Sequence, residues 1–292
     1  MAQTKALSIF TTGTTPADLR NQIAGVFENL AKKTISGRLK SKNGVLNERA
    51  GSFEFKRFAN ATAVTYGTAR AASKGVGVKA APVIVNMNTN KEIVEEVNTF
   101  DAGSFTEEDL NSFLTRRKVA IQQAVERDLD REFFSAVSAA YTAAASGVKI
   151  PTVAINKANP IVPQLEKVIV ALETKSNDYV DGVDREQMAL ILSPELYGLV
   201  KNELNDCYNF SGTVADEIFK GINGVATFSS NRLPSGVNYE LVVMDAVAQP
   251  VMITDATVEK IPLSNEYAVE IFYRYGTKVL ADDLIVCGTF SS

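Results

Sequence analysis

The chain has 292 residues, of which 46% are hydrophobic and 22% charged, and its formal net charge is −4. This composition is typical of a globular protein that can bury a large core in one to three domains. No apolar run approaches the roughly 20 residues that a membrane-spanning helix needs, and the N-terminal sequence lacks the pattern of a signal peptide. We therefore expect folding in a cytosol and no membrane partner.

The charge is divided unevenly along the chain. Residues 1–80 hold 13 Lys and Arg against 4 Asp and Glu, which gives +9, whereas residues 81–292 hold 17 against 30, which gives −13. The basic segment can bind nucleic acid, it can lie on the acidic body of a second copy, or it can be a solvated surface without a partner. It lacks the tight Lys/Arg run and the regular aromatic interleaving of a base-stacking surface.

The first predicted element is a short amphipathic helix, capped by Thr15 and starting at Pro16. Alternating residues then predict two strands, one around residues 53–56 and one around 83–87. The segment between them is rich in small residues. A two-stranded hairpin is only marginally stable alone in water, so we expect this basic arm to pack on another subunit.

The stretch from Gly103 to Thr142 contains no proline and has its only glycine at the first position. A capping-box pattern from Thr106 to Asp109 marks a helix start, and apolar residues follow at steps of three and four. A helix to about residue 141 would be roughly 50 Å long, as wide as a compact globule of this chain length. We expect that this helix either breaks near Arg116–Lys118 or forms the spine of a flat subunit. A third interpretation is an ordinary long core helix in a helical enzyme.

The rest of the chain predicts an α/β block followed by antiparallel strands. A proline-marked crossing at residues 151–163 leads to helices at about 163–175, 194–204 and 215–222 and to strands at 188–193, 225–230 and 240–246. The C-terminal segments 257–262, 267–280 and 284–290 are predicted as strands of a half-exposed antiparallel sheet.

The sequence carries no recognisable catalytic or metal-binding pattern. It has no histidine, which excludes Ser-His-Asp triads and histidine-ligated zinc, and it has no phosphate-binding loop or dinucleotide fingerprint. We expect no enzymatic activity and no cofactor. The carboxylate clusters at 107–109, 128–130 and 282–283 are interpreted as solvated faces or helix caps, and Cys207 and Cys287 as small buried residues without metal-ligand or redox spacing.

The element order, together with the segments GINGVATFSSNRLPSG, ELVVMDAVAQPV and VEKIPLSNEYAVEIFYRYGTKVL, resembles the major capsid proteins of tailed bacteriophages. The resemblance covers nearly the whole chain and implies the mixed α+β Hong Kong 97-like fold. It implies an N-terminal arm (1–35), an extended two-stranded loop (36–99), a peripheral domain with the spine helix (100–150 and 252–292) and an axial domain (151–251).

The function implied by the resemblance is self-assembly, as pentamers and hexamers, into an icosahedral head that encloses double-stranded DNA by non-specific contact. We expect the arm and loop to contact a neighbouring subunit, with an acidic docking surface formed by Glu107, Glu108 and Asp109. The predicted interface residues on the arm and loop are Phe53, Phe55, Lys56, Arg57, Lys74 and Lys79.

Further partners follow from the same resemblance. Some members carry a cleaved scaffolding segment of roughly a hundred residues, whereas about 35 residues precede the loop here, so we expect a separate scaffolding protein, or none, and a portal protein at one vertex. Some members form an isopeptide cross-link from a loop lysine. Lys74 or Lys79 lies in that region, but no matched motif accompanies them and we expect no cross-link. Two alternative interpretations stay open: a cellular nanocompartment shell of the same fold that encloses a cargo enzyme, and an unrecognised enzyme or sugar-binding protein.

Overall fold

The computed structural model describes residues 34–47, 51–61, 63, 65–68, 80–97, 107–144, 147–156, 158–207, 221–260, 262–263 and 267–291. The helices of this part of the chain are α1 (Ile35–Leu39), α2 (Glu107–Ala143), α3 (Ile161–Glu173) and α4 (Pro194–Cys207). Its strands are β1 (Val45–Asn47), β2 (Ser52–Phe58), β3 (Ala80–Asn86), β4 (Thr89–Val97), β5 (Ser176–Asn177), β6 (Val180–Asp181), β7 (Met188–Leu192), β8 (Gly221–Ile222), β9 (Val225–Ser229), β10 (Tyr239–Val243), β11 (Val247–Ala248), β12 (Val251–Lys260), β13 (Tyr267–Tyr275), β14 (Lys278–Val279) and β15 (Ile285–Gly288).

The chain divides into two compact units, each built from three separate segments. Unit 1 consists of Met1–Arg38, Asn86–Asp130 and Gln249–Gly276, and unit 2 consists of Leu39–Val85, Arg131–Ala248 and Thr277–Ser292. The five-segment division implied by the resemblance stays a prediction.

The long helix is confirmed as the unbroken 37-residue helix α2. The helix continues through Arg116–Lys118. In the sequence, apolar residues recur at steps of three and four on both sides of that cluster. In unit 1 this apolar stripe is buried at Val125 and Leu129. In unit 2 it is buried at Phe133, Phe134 and Val137, so one helical pattern supplies core residues to both units.

Unit 1 contains a three-stranded antiparallel sheet in the order β12-β13-β4. Val125 and Leu129 of α2 form a core cluster with Tyr273 and Tyr275 of β13. Next to this cluster, both tyrosine hydroxyls donate hydrogen bonds to Asp128 Oδ2, at 3.1 and 3.0 Å. These contacts fix one helix face on the sheet.

A close backbone approach follows β13 at Gly276. A Cβ atom at this position would lie 2.0 Å from the carbonyl oxygen of Asn86. Because this neighbour is backbone and cannot swing away, only glycine fits here, and the end of β3 can pass directly beside the chain that leaves β13.

Unit 2 is centred on a five-stranded sheet in the order β15-β10-β7-β9-β8. Within this sheet, β7 and β9 pair in parallel, whereas β15 with β10, β10 with β7 and β8 with β9 pair antiparallel. Every side chain of β7 and β10 is buried, which explains their nearly continuous apolar sequence. Helix α3 buries a complete apolar face, consisting of Ile161, Leu165, Val168, Ile169 and Leu172.

Unit 2 also contains the basic arm, here a three-stranded sheet in the order β1-β2-β3. The sequence predicted the second and third strands but not β1, which has three residues and pairs antiparallel with the start of β2. A strand this short gives too little alternation to recognise in a sequence. We call β1, β2 and β3 the arm sheet.

The last predicted strand was assigned to the wrong sheet. Segment 284–290 was grouped with the half-exposed C-terminal strands, but β15 pairs antiparallel with β10 and is almost completely buried. The predicted helix at 16–30 lies outside the described residues. So does most of the predicted helix at 215–222, whose last two residues form strand β8 instead.

Candidate assembly surface

Side chains of the arm sheet point alternately to two faces. On β2, Phe53, Phe55 and Arg57 lie on one face, and Glu54, Lys56 and Phe58 lie on the other, because successive strand residues point in opposite directions. The first set, which we call the inner face, is buried at Phe55 and half-buried at Phe53 and Arg57, whereas the second, the outer face, is exposed at Lys56 and Phe58.

The inner face packs on other parts of unit 2. Phe55 is only 4% exposed and forms a core cluster with Val85 of β3 and Ala248 of β11. Gly44 lies against the same ring, where an added Cβ atom would be 2.5 Å from the Phe55 Cζ atom. Phe55 is therefore covered by its own chain, which gives this ring a role within the subunit.

Arg57 continues the inner face with a paired charge. Its guanidinium donates two hydrogen bonds to the Asp283 carboxylate, at 2.8 and 3.0 Å, and lies 4.8 Å from the centre of the Tyr179 ring. Asn177 donates a further hydrogen bond to Asp283. Burial raises the pKa of Asp283, but the hydrogen bonds from Arg57 and Asn177 outweigh it, so the pKa lies below its ordinary value.

This ion pair corrects one sequence interpretation. The carboxylates at 282–283 were expected to be solvated or capping, yet Asp283 is buried and paired, while Asp282 is exposed. The pair at 128–130 is also structural, because Asp128 binds two tyrosines and buried Asp130 accepts a hydrogen bond from the backbone N–H of Ser36. Partners far away in sequence decide these roles, so spacing alone gave no signal.

The outer face of the arm sheet carries large apolar side chains that the described residues leave exposed. Val45, Phe58 and Ile84 are 69%, 59% and 57% exposed. Val45 lies opposite Glu54 in the register of β1 and β2, which places it on this face, and Ile84 alternates with buried Val85. Lys56 lies among them, 3.6 Å from Glu54.

The other predicted interface residues are placed only in part. Lys74 and Lys79 lie outside the described residues. Glu107, Glu108 and Asp109 form the first turn of α2, but their side chains are not among those described. The docking roles predicted for the six arm residues and for the acidic turn stay predictions. The outer-face residues Val45, Phe58 and Ile84 were missed, because their strand partners were needed to assign them to one face.

The described residues contain no group of three or more Cys, Asp and Glu side chains arranged to hold a metal ion. Within the same part of the chain, none of the helices is both long and apolar enough to cross a membrane.

Comparison with known proteins assigns the family. A family model described as phage capsid protein matches residues 104–285, which is more than half of the chain. The chain therefore belongs to the phage capsid protein family, and its fold is the Hong Kong 97-like fold of tailed-phage major capsid proteins. No curated protein matches the sequence.

Solved structures share this fold at low sequence identity. The capsid structure of cyanophage P-SCSP1u has 14% identity and a TM-score of 0.60 over 89% of each chain. A structure from Mycobacterium phage Che8 has 16% identity and a TM-score of 0.54 over 87% of this chain and 90% of that one. A virus-like particle from Pyrococcus furiosus has 13% identity and a TM-score of 0.50 over 91% and 96%.

Proposed function

We propose that this capsid protein assembles as pentamers and hexamers into an icosahedral phage head that encloses double-stranded DNA. The observation that carries the proposal is the family match combined with the arm sheet. This sheet is anchored to its own subunit on one face and leaves apolar side chains uncovered on the other. Assembly would take place in the cytoplasm of a bacterial host, with a separate scaffolding protein and a portal protein as partners.

The occupant proposed for the outer face is a second copy of this chain. Val45, Phe58 and Ile84 provide an apolar contact, and a few well-packed side chains near the centre of an interface carry most of its binding energy. Around them, the excess of positive charge in residues 1–80 and of negative charge in residues 81–292 favours contact between the arm of one copy and the body of the next. The first turn of α2, with Glu107, Glu108 and Asp109, is the acidic partner proposed for this contact.

Assembly of the purified full-length chain tests the proposal. We expect closed shells or capsomers by electron microscopy and analytical ultracentrifugation, alone or with the scaffolding protein. A monodisperse monomer under all salt and scaffold conditions would refute the proposed function.

The outer face is tested separately by Phe58→Ser and by its control Lys56→Ala, an exposed neighbour on the same face. Phe58→Ser is expected to shift the assembly midpoint to at least tenfold higher protein concentration, because it removes an apolar anchor. Lys56→Ala is expected to shift it less, since exposed ion pairs contribute little. Normal assembly of Phe58→Ser would show that the outer face is not part of the interface, and it would not contradict the proposed capsid function.

A second candidate function is a cellular nanocompartment shell that encloses a cargo enzyme. The observation that favours it is the similarity to the virus-like particle from Pyrococcus furiosus, which covers nearly all of both chains. The contents of shells isolated from the native source distinguish the two functions. Packaged double-stranded DNA supports the phage head, whereas a stoichiometric protein cargo without DNA supports the nanocompartment.

A further inference from the structure

The five-stranded sheet of unit 2 contains a carboxyl group in its interior. Glu240 lies on β10, opposite Ile191 of β7 on one side and Cys287 of β15 on the other. Its exposed fraction is 0%. Neither of its carboxyl oxygens has a hydrogen-bond partner among the residues that the structure describes.

Among the residues described by the structure, no cationic side chain donates a hydrogen bond to the Glu240 carboxyl group. The neighbouring titratable group is the buried free thiol of Cys287. The sulfur of Cys287 is hydrogen-bonded by Ser138 of α2, and Tyr141 of α2 and Lys149 lie within electrostatic range of Cys287. Because Ser138 contacts Cys287, the C-terminal part of α2 packs next to the edge of the sheet that holds Glu240 and Cys287. This part of α2 lies in unit 2, as the sheet does.

An ionised carboxylate at this position would be buried without a partner, which is costly. Desolvation accordingly raises the pKa of Glu240 well above its ordinary value. Burial likewise raises the pKa of the Cys287 thiol to about 12, so the thiol stays neutral and does not contribute a charge at neutral pH.

We propose that Glu240 is a protonation-controlled lock on the packing of strands β10 and β15 against the C-terminal part of α2. As the neutral acid, Glu240 fits this interior. When it ionises, its charge must reach water, and the β10–β15 edge must separate from the helix to admit it. The device is independent of the assembly proposed above, because all its groups lie in one unit of one chain.

The direction of the effect follows from proton linkage. A group that holds its proton more tightly in the closed state than in the open state favours the closed state at low pH. The closed packing is therefore fully stabilised below the pKa of an exposed glutamate. It weakens about tenfold per pH unit above that value, until the pKa of the buried acid is reached.

The thiol of Cys287 reports this opening directly. The sequence has two cysteines, so Cys207→Ser in the full chain leaves Cys287 as the reactive thiol. Its rate of reaction with a disulfide reagent such as dithionitrobenzoate is measured between pH 5 and pH 9, with Glu240 and with Glu240→Gln. The rate with Glu240 is divided by the rate with Glu240→Gln, which removes the pH dependence that the two chains share.

We expect this ratio to increase at least tenfold between pH 5 and pH 8, because only the chain with Glu240 acquires a buried charge. The urea midpoint of unfolding should fall over the same pH range for the chain with Glu240 and stay level for Glu240→Gln. A ratio that is constant with pH overturns the proposal.

Glu240→Met, an apolar side chain of similar length, is measured in parallel so that poor folding of the glutamine variant cannot hide the result. It is expected to behave as the glutamine variant does, and a pH-dependent ratio of the two variants would also count against the lock.

Discussion

The five-stranded sheet and the arm sheet belong to the same unit but use their apolar side chains differently. Both faces of β7 and β10 are buried by their own chain. In the arm sheet, Phe55 and Val85 are buried on the inner face, whereas Val45, Phe58 and Ile84 stay exposed on the outer face. The five-stranded sheet can therefore stabilise a single subunit, whereas the outer face of the arm sheet has exposed apolar surface that is available for a contact between subunits.

The largest expected loss of subunit stability comes from the five-stranded sheet. Leu190 is completely buried on β7, and Leu190→Ala leaves a cavity on a strand that neighbours on both sides hold in place. We expect the free energy of unfolding to fall by about 3–5 kcal/mol, measured by urea denaturation. A loss below about 1 kcal/mol would contradict the description of this sheet as the core of unit 2.

The comparison between the two faces of the arm sheet is sharpened by two phenylalanines on one strand. Phe55→Ala removes a ring that is buried in the inner face and should lower the free energy of unfolding by about 3 kcal/mol. Phe58→Ala, its matched control, removes an exposed ring and should change that energy by less than about 0.5 kcal/mol. Circular dichroism during urea denaturation measures both. Equal losses would show that the two faces do not differ as described.

The attachment of the arm sheet is expected to depend on the Arg57–Asp283 ion pair. Arg57→Ala leaves the buried Asp283 carboxylate without its charged partner, which should cost about 2–4 kcal/mol at pH 7. Arg57→Lys, the control, keeps the charge but loses the two-bond geometry, so its loss should be smaller.

The same pair predicts a pH dependence with a definite sign. The pKa of Asp283 lies below its ordinary value in the folded chain, so its stabilisation is present above the pKa of an exposed aspartate, about 3.9. It is lost as the pH falls through the folded pKa. In Arg57→Ala, burial raises the pKa of Asp283 without the opposing effect of Arg57. Asp283 of the variant is therefore protonated more readily as the pH falls, which removes its unpaired charge. The stability gap between wild type and variant should therefore narrow from pH 7 to pH 4; a gap that widens would exclude this account.

The smallest expected effect on the subunit is that of Lys56→Ala. The Lys56–Glu54 pair is about half exposed, and such pairs contribute roughly 0–1 kcal/mol. We expect the urea midpoint to stay the same within error. A large loss of stability would show that the outer face is packed within the subunit and does not remain available to a neighbour.

The sequence by itself determined the elements whose pattern is long and regular. The spacing of apolar residues predicted the long helix, which α2 confirms without a break. Strict alternation predicted β2, β3 and β13. The resemblance to phage capsid proteins, based on the element order and on three segments between residues 221 and 280, predicted the family and the fold. These inferences succeeded because helical and strand periodicity are local properties of the chain.

The tertiary structure alone decided which partners each element has. Alternation placed Phe53 and Phe55 on one face of a strand, but it could not say whether that face met the same chain or another. The position of β15 beside β10 and the pairing of Arg57 with Asp283 also join residues far apart in sequence. Which face is buried, which strand is a neighbour and which carboxylate is paired depend on such long-range contacts. They are set by the packing of the whole unit, so the periodicity of a single segment carries no information about them.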